Sequence, residues 1–333
     1  MRTSRWRRPN RMSAVAERGD NHDTASPRWP GNDKPYRITM GMRACSPADW
    51  LLRGPLADEM IAEKTAVLEK HHEQAVVITA EGDAGAREAA AVVLAAINGD
   101  AHQASAADDS MHPLEAAARL VAEDLVIMSP ASTQESAPVD VGAVADRVAG
   151  AAGHTGESGV EYVLTAAVLC APSRWDLHEK VGRSMREIHQ PVPNYDSIAA
   201  AADRFFVRLA EGDIIERTNW TVLDSPEGFQ PVSGEGWDAT LAGLPDEQLA
   251  AHLWLRLERQ TLRRLPATGA VLFTILTTST RLDELSSLGP DVTRQLAGWV
   301  STSGQDVHAY RGWGTQWPRV AEALEAACSS SNH

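Results

Sequence analysis

The chain has few cysteines, few aromatic rings, no long apolar run and no surplus of positive charge. Cys45, Cys170 and Cys328 are its only cysteines in 333 residues, and they lie far apart with no CxxC spacing. A four-cysteine zinc or iron–sulfur site within one chain is therefore excluded. So sparse and odd a count fits a reducing, cytoplasmic compartment better than a disulfide scaffold. No apolar stretch approaches the roughly 18–20 residues that span a bilayer, so no membrane segment is expected. The formal charge of −14 argues against nucleic acid as the main partner, because neutralising phosphates needs clustered Lys and Arg. HExxH, GxSxG, the P-loop and GxGxxG are all missing, which removes the commonest hydrolase and nucleotide fingerprints.

What remains is ordinary globular composition, 43% hydrophobic and 23% charged, in a chain long enough to bury a substantial core. The charge is uneven. Residues 1–33 hold seven arginines and four acids, about +3, which leaves about −17 for the rest. Arg7-Arg8 invites a twin-arginine export reading, but Pro9 to Gly19 offers no apolar core segment, so export is not expected. We read residues 1–35 as a flexible arm and 36–328 as a single domain. Residues 130–159, rich in Ala, Ser, Gly and Pro, read as an exposed insertion with a short helix near Val141 to Ala149.

Periodicity predicts helices over 47–52, 56–70, 85–97, 112–125, 197–209, 246–251, 283–288, 290–300 and 317–327, with short helical turns at 175–181 and 185–189. It predicts strands over 162–170, 216–223, 253–262 and 269–278, while 75–79 and 126–128 are ambiguous. Strands bunched between 160 and 280 suggest an α+β fold with an antiparallel sheet. The Val76-Val77-Ile78 run before Gly82 and Gly85 is better read as a plain strand–turn–helix junction than as a dinucleotide turn. Cys170, at the end of an apolar strand, reads as a buried hydrophobe and only secondarily as a thiolate ligand.

Residues 170–193 run CAPSRWDLHEKVGRSMREIHQPVP, placing His189 between an amphipathic turn and two prolines that stiffen the exit. Such a histidine is well presented as an axial ligand; a hydrogen-bonded, helix-ending structural histidine is the commoner reading. On ERTNW (216–220), strand periodicity puts Arg217, Asn219 and Thr221 on one face. Glu258 interrupts an apolar-rich strand, so a partner cation is expected if it is buried. Arg263-Arg264 could bind carboxylates bidentately or form a solvated cluster with cross-strand ion pairs.

Taken together, YRITMGMRACSPADW (36–50), HPLEAAARLVAEDLVIM (112–128), the 170–193 stretch, ERTNW, LRLERQTLRRLPATGAVLFTI (255–275) and YRGW (310–313) resemble the haem-dependent oxidative N-demethylase family. The resemblance implies a PAS-like α+β fold enclosing one haem b, and oxidation of a small-molecule amine with O2 that releases formaldehyde. It implies His189 as the axial, metal-ligating residue. It makes Arg217, Arg259 and Arg263 candidates for holding propionates or polarising O2. Glu258, Glu123 and Asp124 become candidates for a proton relay or for holding an ammonium. With no flavin or nicotinamide fingerprint and too few cysteines for a cluster, electrons are expected from a separate flavin and ferredoxin-type reductase. A haem-binding sensor or carrier, and a haem oxygenase acting on another C–H or N–H bond, are the competing expectations.

Overall fold

The computed structural model describes residues 26–98, 111–131, 160–232, 237–289 and 291–330; the expected insertion helix at 141–149 lies outside them. Seven strands form one antiparallel sheet: β1 (Arg43–Ala44), β2 (Val76–Ile78), β3 (Asp124–Pro130), β4 (Tyr162–Val168), β5 (Ile214–Leu223), β6 (Trp254–Arg264) and β7 (Val271–Arg281). Their order is β1-β5-β6-β7-β3-β4-β2, with every pairing antiparallel. This is the α+β class that the clustering of strands indicated.

Strand alternation divides the side chains between two faces. One face carries Leu125, Ile127, Ala166 and Leu272 and packs beneath three helices. These are α1 (Pro55–Ala75), α2 (Asp83–Asn98) and α3 (Pro113–Ala118). The alanines of α2 let it approach closely: Ala86, Ala89 and Ala90 are buried. Gly82, just before α2, sits so tightly that an added Cβ would lie 2.5 Å from the Thr165 carbonyl oxygen. The glycines here serve packing, as the strand–turn–helix reading requires.

The opposite face carries Val126, Met128, Leu164, Leu262 and Ile275. Over it lie α4 (Leu177–Lys180), α5 (Met185–His189) and α6 (Asp196–Arg208), with Leu177 and Phe206 in the same cluster. A third cluster joins Trp220, Leu255 and Trp313 to the C-terminal helices. Trp29 and Tyr36 pack against this cluster, and the Trp29 indole donates to Gln295 at 3.0 Å. These contacts begin before Tyr36, the residue at which the sequence reading starts the domain.

Three expectations need correction, the first being the helix expected over 47–52, which is a 3-10 helix at Pro47–Asp49. The helix expected over 112–125 ends at Ala118, and Asp124–Pro130 is a strand between β7 and β4. The run Leu125-Val126-Ile127-Met128 is apolar on both sides because both sheet faces are covered there, and such a run mimics a buried helix. The helix expected over 283–288 is a 3-10 helix, Leu282–Leu288.

Candidate functional site

Between the sheet and the α5–α6 layer lies a cavity of about 970 Å³. Its floor is apolar, formed by Val126, Met128, Leu164, Leu262, Phe273 and Ile275, and its polar lining includes His189, Tyr195, Arg217, Asn219, Glu258 and Gln260. A concave, mostly apolar space with a few convergent polar groups is the usual form of a small-molecule or cofactor site. Residues 28–43 run along its rim, and the Trp299 indole donates to the Lys34 carbonyl at 3.1 Å.

His189 is presented with a defined tautomer. Its five-residue helix opens with a capping box, the Ser184 N–H donating to Glu187 Oε2 at 2.8 Å and the Glu187 N–H to Ser184 Oγ at 3.3 Å. Two backbone bonds tie the preceding turn to β4, Gly182 N–H to the Leu164 carbonyl at 2.9 Å and Leu164 N–H to the Arg183 carbonyl at 3.1 Å. At the other end of the helix, His189 Nδ1 lies 2.8 Å from the Met185 carbonyl oxygen. A carbonyl only accepts, so Nδ1 carries the proton and the lone pair is on Nε2. Burial holds His189 below the ordinary imidazole range, opposed by the Met185 carbonyl and reinforced by Arg217. The neutral ring is the form that ligates a metal.

Arg217 on β5 faces the same cavity. Its Nε is buried without a hydrogen-bond partner, and no ion pair to it forms among the described residues. Burial makes its charge costly, partly offset by the Glu258 carboxylate. Glu258 is itself already committed: it accepts from Asn219 and Gln260 at 3.3 Å each and from the buried Arg256 at 3.2 Å. Arg256 is the cation that a buried Glu258 was expected to need. Tyr195 also lines the cavity, with a buried hydroxyl that has no partner.

Arg259 does not reach the cavity. Next to Glu258 on β6, it points from the other face, as strand alternation demands. There it donates to Glu216 at 2.6 Å, to the Trp50 and Asp49 carbonyls at 2.8 and 2.7 Å, and to Cys45 Sγ at 3.1 Å. Arg263, on the same face, stacks over Trp50 at 4.9 Å. Arg264 spends its donors on backbone carbonyls and the Tyr162 hydroxyl. Glu123 lies outside the cavity lining, with Oε1 accepting from Leu52 N–H at 2.7 Å. Asp124 accepts from Ala171 N–H at 2.8 Å and lies 3.7 Å from Lys64. Cys170 is buried in the helix-covered cluster on the far face, and burial pushes its thiol up. The sheet therefore brings together His189, Arg217 and Glu258, and leaves Arg259, Arg263, Glu123 and Cys170 elsewhere.

A family model for haem-dependent oxidative N-demethylase, alpha subunit-like, matches residues 88–321. The chain belongs to this family. The match runs from within α2 to the start of the C-terminal helix (Trp317–Ser330), and so includes every cavity residue contributed by α5, β5 and β6. The residues present suit the haem that the demethylase family name carries. A neutral imidazole turns its lone pair away from a satisfied Nδ1, the walls are apolar, and an unpartnered guanidinium faces the same space. Among the described residues no group of three or more His, Cys, Asp or Glu could hold a bare metal ion. No helix among the described residues is long and apolar enough to cross a membrane. Tyr195, Gln260 and Arg256 were missed in the sequence. A signal for Tyr195 existed in the turn-forming Pro-Val-Pro-Asn run, which reverses the chain behind His189.

Proposed function

We propose that this chain is a haem-dependent monooxygenase that removes an N-methyl group from an amine, with haem b seated in the cavity on His189. The observation that supports this reading most directly is the His189–Met185 bond, which commits Nδ1 and leaves Nε2 as the free ligand on the cavity wall. Haem, when bound, supplies O2 activation and the oxidation of the N-methyl carbon, which leaves as formaldehyde.

The chain's own groups do the remainder. His189 holds the metal, and its bond to Met185 fixes the ring and raises the basicity of Nε2. Arg217 supplies a positive charge with no ion-pair partner among the described residues, suited to an anionic substituent of the cofactor or to polarised oxygen. Glu258, held by Asn219, Gln260 and Arg256, sets one carboxylate on the wall, where it can receive an ammonium or pass on a proton. The apolar floor excludes water from the reacting carbon. The antiparallel sheet with helices on both faces suits the PAS-like reading, in which such a sheet encloses the ligand. The lack of a flavin or nicotinamide fingerprint and the three scattered cysteines support electron delivery by a separate flavin and iron–sulfur reductase.

The test is an optical titration followed by turnover. Purified protein with haemin should develop a Soret band that His189→Ala abolishes or shifts. With a reductase system and O2, a panel of N-methylamines should yield formaldehyde in step with amine consumed. A stable ferrous–O2 spectrum that never turns over would favour the sensor or carrier reading instead.

A further inference from the structure

The loop after His189 folds back on itself. Val192 N–H donates to the His189 carbonyl at 2.9 Å and Tyr195 N–H to the Val192 carbonyl at 3.2 Å. Pro191 and Pro193 restrict the backbone between them, and Asn194 takes the left-handed conformation at φ 57° that its short polar side chain tolerates. These two turns lay the Tyr195 ring on the His189 imidazole, with centroids 4.9 Å apart and planes 12° from parallel.

Tyr195 is only 7% exposed, lines the cavity, and its hydroxyl is buried with no partner. A buried hydroxyl left unsatisfied costs stability, so its retention calls for a reason. Arg217 presents the same anomaly on the same cavity, an unpartnered buried Nε. Both line the same cavity, and a phenol and a guanidinium are both donors at neutral pH. Two buried donors without hydrogen-bond partners among the described residues, on one cavity, suit an anionic oxygen.

We propose that the Tyr195 hydroxyl and the Arg217 guanidinium form a carboxylate subsite beside His189, which takes a carboxylate of the haem, while the Tyr195 ring fixes the plane of the imidazole. This rests on the haem reading above and adds a binding and positioning residue to it. The hydroxyl and the ring do separable work, so two substitutions separate them. Tyr195→Phe keeps the stack and removes the donor; Tyr195→Leu removes both.

The experiment titrates apoprotein with haemin and with haemin dimethyl ester, whose carboxylates carry no charge, and follows the Soret band. Wild type should bind haemin at least about tenfold more tightly than the ester, the scale of a hydrogen bond to a charged group. Tyr195→Phe should lose about tenfold for haemin and less than about twofold for the ester. Equal loss for both ligands, or none, would overturn the subsite, as would a wild type that does not discriminate between them; a carboxylate from another source would give that last result. The ferric electron paramagnetic resonance g-values should move in Tyr195→Leu and stay put in Tyr195→Phe, and unchanged values in both would remove the positioning role. If neither ligand gives a Soret band, or His189→Ala leaves the spectrum unaltered, the haem reading fails and the subsite falls with it.

Discussion

Arg217 and Glu258 stand diagonally across the β5–β6 ladder, where Asn219 opposes Glu258 and Gln260 opposes Arg217, and they form no ion pair. The carboxylate accepts from three protein donors while the guanidinium keeps its Nε idle. An isolated fold would gain by closing that gap. The gap is useful to a protein that awaits an anion.

Arg217→Met should therefore act in opposite directions on the two forms. Without ligand, removing an uncompensated charge should raise stability by about 1 kcal/mol, a few degrees in Tm. Haemin affinity should fall about tenfold or more. Thermal melts with and without haemin check this; destabilisation of both forms would mark Arg217 as structural.

His189→Ala should weaken haemin binding by about 100-fold or more, since even the outer partners of a ligand cost 10–100-fold. Added imidazole should restore a spectrum like that of the wild type by occupying the vacated position. Rescue by imidazole without rescue of wild-type affinity is the expected optical result.

Arg259→Met should unfold more easily by about 2–3 kcal/mol, because it leaves two buried backbone carbonyls unpaired and removes one of the two cations on Glu216, Arg43 keeping the other at 2.6 Å. Urea denaturation measures this. The protein that remains folded should keep a wild-type haemin spectrum, since Arg259 lies on the sheet face away from the cavity. An altered spectrum at normal stability would return Arg259 to the site.

Glu123 should matter to stability and little to turnover. Burial raises its pKa above 4.5, so over the window above that value the folded form keeps a proton that the unfolded chain releases. The folded state then binds more protons, and stability falls as pH rises through the window. Glu123→Gln keeps an acceptor for the Leu52 N–H and removes this slope, at up to about 1.4 kcal/mol per pH unit; Asp124, raised in the same direction by burial, retains part of it. Chemical denaturation of both proteins at pH 5 and pH 8 tests the sign. Loss of formaldehyde release with the fold intact would make Glu123 a proton relay after all.

Much of this was legible in the chain itself. The 3.6 period marked α6 and the C-terminal helices, and alternation marked β5 and β6. The placement of Asp124–Pro130 as a strand was not legible, because burial on both faces erases the alternation that identifies a strand. The same limit affected the arginines. Position in a motif put Arg217, Arg259 and Arg263 in one group, whereas the pleat sends neighbours such as Glu258 and Arg259 to opposite faces.

Local physics, then, determined the elements, the antiparallel α+β class and the presentation of His189 from a rigid helix end. Each depends on residues a few positions apart, so short-range spacing suffices. Tertiary structure alone decided which polar groups converge: Arg217 and Glu258 on the cavity, Arg259 locked to Glu216 behind the sheet, and Tyr195 folded onto His189. Those outcomes depend on which face of a strand is covered, and by what. Only packing between segments far apart in the chain can set that.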